Sequence, residues 1–148
     1  MALAALKAQL NNFVQSMLEE GMLDSQFAQV QALQDESNPC FITEVITSFC
    51  NDAERIVIEL NKYMSHQTLD FAKLESFVHQ LKGSSSSIGA KRLKLACTDL
   101  LQASDDRNKN GCLQALNAIT REYCLLRNKF DTIIQLERRI LATETRDQ

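Results

Sequence analysis

The sequence predicts an all-α protein: six helices, four of them forming an antiparallel bundle. Three observations carry that reading. Four glycines and one proline among 148 residues leave few places for hairpin turns. No alternation of apolar and polar residues persists as a half-buried strand requires. Apolar residues instead recur at three- and four-residue spacings through most of the chain, the period of a helix with one buried face.

The first helix is expected over Ala2 to Glu20, with Leu3, Leu6, Leu10, Phe13, Val14 and Met17 in one stripe and Gly21 ending it. A short second helix, starting at Asp24 or Ser25, carries Phe27, Val30 and Leu33. In the segment DESNP, Asn38 suits an N-cap and Pro39 the first helical position, so a third helix runs from there to about Met64. Ile42, Val45, Ile46, Phe49, Ala53, Ile56, Val57, Leu60 and Tyr63 share one face of it. The fourth helix starts near Asp70 and closes at Gly89; the fifth, about Ala90 to Ala103, packs through Leu93, Cys97, Leu100 and Leu101. After the polar turn SDDRNKNG the last helix spans about Gly111 to Leu141, spaced by Leu116, Ile119, Tyr123, Leu126, Phe130, Ile133 and Ile134, and the tail ATETRDQ frays. Short connections between the longer helices favour the bundle. One domain over 1–148 is expected, with 1–36 packed on the bundle or over one end, 38–142 as its core and 143–148 as the frayed tail.

Composition narrows the function. A net charge of -3 with scattered Lys and Arg offers no basic field, so nucleic acid is not an expected partner. The apolar start MALAALKAQLNNF is interrupted by Lys7 and lacks a cleavage pattern, and no segment approaches the ~20 apolar residues that span a bilayer. A soluble, intracellular protein is expected. Five widely spaced cysteines, Cys40, Cys50, Cys97, Cys112 and Cys124, include no CxxC pair, and read as reduced and mostly buried.

Two loop-like motifs lack their essential residues. In DDRNKNG, Asp106, Asn108, Asn110 and Gly111 fit the early positions of a calcium loop, but Asn117 stands where a bidentate Glu is needed, so an ordinary turn is expected. KGSSSSIGAK has Ile88 where a phosphate loop needs glycine, and no strand precedes it. Metal and nucleotide sites are therefore not expected. His66 reads as a solvated loop residue, and no nucleophile–base pair for an autonomous enzyme can be assembled.

The segment LESFVHQLKGSSSSIGA, Leu74 to Ala90, is the most informative. At about 100° per residue, Leu74, Phe77, Leu81, Ser84, Ser85 and Ile88 gather on one side of the fourth helix, and Glu75, His79, Lys82, Gly83 and Ser86 on the other. The imidazole of His79 is thus expected to face solvent. Lys82 lies within one turn, placed to pair with an anion attached to the ring. Gly83 costs the helix roughly 1 kcal/mol relative to alanine, yet leaves the approach to the imidazole clear. Ser84 and Ser85 fall on the buried side, where small side chains let a neighbouring helix come close.

His79, Gln80, Lys82, Gly83, Ser84 to Ser87, Ile88 and Gly89 closely resemble the HQxKGSSxSIGA signature of plant-type histidine-containing phosphotransfer (HPt) proteins. The resemblance extends to NPxF at Asn38 to Phe41 and NxxGC at Asn108 to Cys112. It implies a six-helix fold with a four-helix bundle core, in agreement with the periodicity. It implies that His79 accepts a phosphoryl group, Lys82 holds the phosphoryl oxygens and Gly83 gives steric clearance. Some relatives replace the histidine and cannot carry phosphate; this chain keeps it.

The resemblance further implies a phosphorelay carrier. It would take the group from a receiver-domain aspartate of a hybrid histidine kinase and pass it to a response-regulator aspartate, in cytokinin-type two-component signalling in cytoplasm and nucleus. No cofactor of its own is implied, Mg2+ coming from the receiver domain, and the protein would act as a monomer with no turnover alone. Docking is expected around His79, involving Gln80 and Ser86 and apolar residues such as Phe27 or Phe41. The competing reading is a helical adaptor that binds receiver domains without taking phosphate.

Overall fold

The computed structural model describes residues 2–65 and 69–146. Its six helices are α1 (Ala2–Glu19), α2 (Ser25–Gln31), α3 (Phe41–Met64), α4 (Phe71–Ile88), α5 (Lys91–Asp105) and α6 (Lys109–Arg146). His66 lies outside the described residues. In the bundle α3 packs on α4, α4 on α5, α5 on α6, and α6 back on α3; α1 lies against α6, and α2 against α4.

Cross-helix pairs fix the antiparallel sense. Glu75 near the start of α4 meets Ser104 at the end of α5. Arg92 early in α5 pairs with Glu122 of α6 at 2.8 Å. Tyr63 at the end of α3 lies against Phe77 of α4, ring centroids 5.5 Å apart. Arg127 of α6 reaches Glu54 of α3 at 3.1 Å, and α1 is tied to the end of α6 by Lys7 and Glu144 at 3.4 Å. Buried apolar residues from all six helices form one cluster. No helix among the described residues is long and apolar enough to cross a membrane.

Several local expectations are corrected. Asn38 does not cap α3, because its side chain is engaged upstream: Oδ1 accepts from the Asp35 N–H at 2.6 Å and Nδ2 donates to the Leu33 carbonyl at 3.0 Å. Pro39 therefore lies outside the helix, which begins at Phe41 after Cys40. An N–H of the first turn is satisfied from farther back, by Gln34 Oε1 accepting from Ile42 N–H at 2.9 Å. Leu33 falls beyond the end of α2 and is exposed. Helix α6 runs to Arg146, past the expected end at about Leu141. Of the five cysteines only Cys97 and Cys112 are buried; Cys50 is half-buried, and Cys40 and Cys124 are exposed.

The α4–α5 corner sets the pose of the helix that carries His79. Asp24 accepts from the Gln26 N–H and caps α2. The Asp24 N–H donates to the Gly89 carbonyl at 2.9 Å, and the Lys91 N–H to the Met22 carbonyl at 3.0 Å. Gly89 has φ +82°, the left-handed conformation that ends α4.

Candidate functional site

Helix α4 begins where Asp70 accepts from the Lys73 N–H at 3.2 Å. Leu74, Val78, Leu81, Ser85 and Ile88 form its buried stripe, at the spacing that keeps one side of a helix inward. His79 falls about 140° from the centre of that stripe, and its side chain is exposed. Gly83, exposed one turn further on, points straight outward.

Gly83 has no internal reason to be glycine. It sits inside a right-handed helix, and a Cβ built there would meet nothing within 4 Å. Neither packing nor backbone conformation demands the residue, yet it lowers helix propensity by about 1 kcal/mol. Open space beside the imidazole is what it leaves.

Lys82 occupies the edge of α4 that faces α5, half-buried. Burial pushes the Cys97 thiol on α5 up to about 12, and the charge of Lys82 opposes that rise, which places the ammonium near the sulfur. Lys82 forms no ion pair among the described residues, in common with Lys73, Lys91, Lys94, Lys109 and Lys129; only Lys7 and Lys62 are paired with a glutamate. A cation beside an exposed imidazole is thus held without a resident anion.

Gln80 and Ser86 are exposed, Ser86 two turns beyond His79 on nearly the same face. Phe41 is half-buried and lines a groove of about 400 Å³ between α3 and α4 with Val45, Ser48, Phe49, Ser84 and Ser87. Phe27 corrects the docking expectation: it is fully buried and stacks on Phe130 at 5.8 Å, so it is a core residue. Ser85 is fully buried, as expected, with its hydroxyl unpartnered; Ser84 is half-buried.

Glu75 departs from the outward grouping. Its Oε1 accepts from Ser104 Oγ at 2.8 Å, and Ser104 is fully buried at the end of α5. Sequence reasoning placed Ser104 in the polar turn. The available signal was its spacing, since Leu93, Cys97, Leu100 and Ser104 continue one stripe. Asn108, considered for a calcium loop, instead caps α6 by accepting from the Gly111 N–H at 2.9 Å. Among the described residues no three His, Cys, Asp or Glu side chains converge as metal ligands.

Among the described residues the bundle offers one exposed imidazole, that of His79 on α4, with an unpaired lysine and a glycine within one turn of it, and this makes it a helical, histidine-presenting protein. Comparison with known proteins supplies the family. The Hpt domain family matches residues 44–136. Histidine-containing phosphotransfer protein 1 of Oryza sativa subsp. japonica is 46% identical over 142 residues, covering 96% of this chain and 97% of the relative. Histidine-containing phosphotransfer protein 1 of Arabidopsis thaliana is 43% identical, covering 97% and 93%. The crystal structure of a histidine-containing phosphotransfer protein from maize superposes with a TM-score of 0.86 at 46% identity, covering 91% of this chain and 99% of that one. The chain belongs to the plant-type histidine-containing phosphotransfer family.

Proposed function

We propose that this protein is a phosphorelay carrier and that His79 is its phosphoryl acceptor. The observation that carries the reading is the exposed imidazole of His79 between an unpaired Lys82 and the open surface at Gly83. A ring nitrogen of the neutral imidazole attacks phosphorus of an aspartyl phosphate on a receiver domain. The N–P bond forms as the acyl P–O bond breaks, and the aspartate leaves with the electron pair as a carboxylate. Discharge to a response-regulator aspartate is the same exchange reversed.

Such transfer depends on alignment and charge neutralisation more than on covalent chemistry by the protein. Lys82 supplies positive charge to the phosphoryl oxygens, and the receiver domain supplies its aspartate and Mg2+. The bundle contributes a nucleophile that needs no rearrangement to be reached. Alone the protein turns nothing over; its partners are receiver domains of hybrid histidine kinases and response regulators. Gln80 and Ser86, exposed on α4 as His79 is, and the groove at Phe41 between α3 and α4 form the docking surface. The cytokinin relay is the setting, with the carrier moving between cytoplasm and nucleus.

Incubation with a 32P-labelled phosphorylated receiver domain tests the reading. Acid-labile, alkali-stable label is expected on the wild-type chain and absent from His79→Gln. Label retained in that variant overturns the assignment. Binding of the receiver domain without any label identifies the protein as a passive adaptor.

A further inference from the structure

Glu75 stands one turn before His79 on α4. On an unconstrained helix surface an acid at i and a base at i+4 are neighbours and pair, and the acid-first order is the favoured one. Here the carboxylate is turned toward α5 instead. Its Oε1 accepts from Ser104 Oγ at 2.8 Å and lies 3.9 Å from Arg107 Nη1. Both partners are themselves held. Ser104 is fully buried in the apolar stripe of α5. Arg107 ends α5 in the left-handed conformation, φ +53°, donates from Nη1 to the Ser104 carbonyl at 3.2 Å, and lies with its guanidinium 4.8 Å from the centre of the Phe71 ring. The Cys112 thiol, raised first by burial, is raised further by the charge of Glu75, which places the carboxylate over the α5–α6 end.

The two charged residues on the α5-facing edge of α4 are therefore treated differently. Lys82, one turn after His79, is left without an anion. Glu75, one turn before it, is tied down by a buried hydroxyl and a guanidinium. We propose that Ser104 and Arg107 sequester the Glu75 carboxylate, so that no negative charge stands beside His79 when a phosphoryl group arrives. Ser104 and Arg107 are thus positioning residues, acting on the reaction through Glu75 without touching His79. This rests on His79 being the acceptor. Released, the carboxylate would lie ~6 Å from the incoming phosphoryl group and repel its two negative charges, slowing acceptance about tenfold at low ionic strength.

The test is the rate of label transfer from a phosphorylated receiver domain to the full chain, at low and at high salt. Ser104→Ala is expected to accept phosphate about tenfold more slowly at low salt, and the deficit to shrink at high salt as the exposed charge is screened. Adding Glu75→Gln to Ser104→Ala should restore the rate. A purely structural role for the Ser104 contact predicts no such rescue, because the double variant still lacks the native contact. Arg107→Ala removes the guanidinium from outside the core, and should slow transfer in the same direction should Ser104→Ala fail to fold. Unchanged or faster transfer in these variants, or a double variant as slow as Ser104→Ala, overturns the inference. A wild-type chain that takes no label, or label that survives His79→Gln, overturns the carrier reading itself.

Discussion

A methyl group on Gly89 would stand 2.5 Å from the backbone nitrogen of Phe27 and 2.8 Å from Asp24 Oδ1. Backbone cannot yield as a side chain does, and φ +82° already disfavours any residue with a Cβ. The corner that orients α4 thus depends on glycine twice over. Gly89→Ala is expected to lower stability by about 2–4 kcal/mol, read as a fall in the urea midpoint with the slope unchanged.

Gly83 should respond in the opposite way. Its helix is regular and the space beside it is open, so Gly83→Ala should raise stability by about 0.5–1 kcal/mol. Gly83→Gln should hold or raise stability while slowing phosphoryl transfer, because the longer side chain occupies the approach to His79. Urea titration and transfer rates on the same two variants check this. Wild-type transfer rates in Gly83→Gln would show that clearance is not the reason for the glycine.

The two phenylalanines first paired as docking candidates should separate. Phe27 is fully buried against Phe130, so Phe27→Ala should cost about 3–5 kcal/mol. Phe41 is half-buried at the groove shared by α3 and α4. Phe41→Ala should cost no more than about 1–2 kcal/mol, and should weaken receiver-domain binding, measured by titration calorimetry. Equal affinity in Phe41→Ala would remove the groove from the docking surface.

What could be read from sequence follows physical range. The outward placement of His79 and Gly83 and the inward placement of Leu74, Leu81 and Ile88 came from helical periodicity, which links residues only a turn or two apart. The cap at Asp70 and the stop at Gly89 are equally local signals. Phe27 was misread because its burial is set by Phe130, more than a hundred positions away. Asn38 was misread because two chemically suitable positions competed, and the turn at Leu33 to Asp35 claimed its side chain first. The engagement of Glu75 could not be seen from α4 alone, since its partner lies at the far end of another helix. Ser104 was nonetheless visible as a polar residue continuing the stripe of Leu93, Cys97 and Leu100.

A half-buried thiol, a buried thiol and a buried phenol set a limit on alkaline stability. Burial, followed by the charge of Asp131, pushes the Cys50 thiol up to about 11, and burial pushes Cys97 up to about 12. Tyr123, which donates to the Cys50 carbonyl at 3.1 Å, is pushed up to about 12, again chiefly by burial. Each is an acid whose folded-state pKa exceeds that of the unfolded chain. Above the unfolded values, about 9 for a thiol and 10 for a phenol, the unfolded chain binds fewer protons than the folded one, so stability falls as pH rises. These groups leave stability unaffected below about pH 8, then lower it progressively from about pH 9 to about pH 12. Urea midpoints across that range should show the decline, and Cys97→Ala should make it shallower. The same burial should divide the thiols kinetically. Iodoacetamide at about pH 8 should modify exposed Cys40 and Cys124 in the native protein, and reach Cys97 only on unfolding. Modification of Cys97 at the rate of Cys124 would mean that the α4–α5 interface opens in the native state, and with it the support that holds His79 outward.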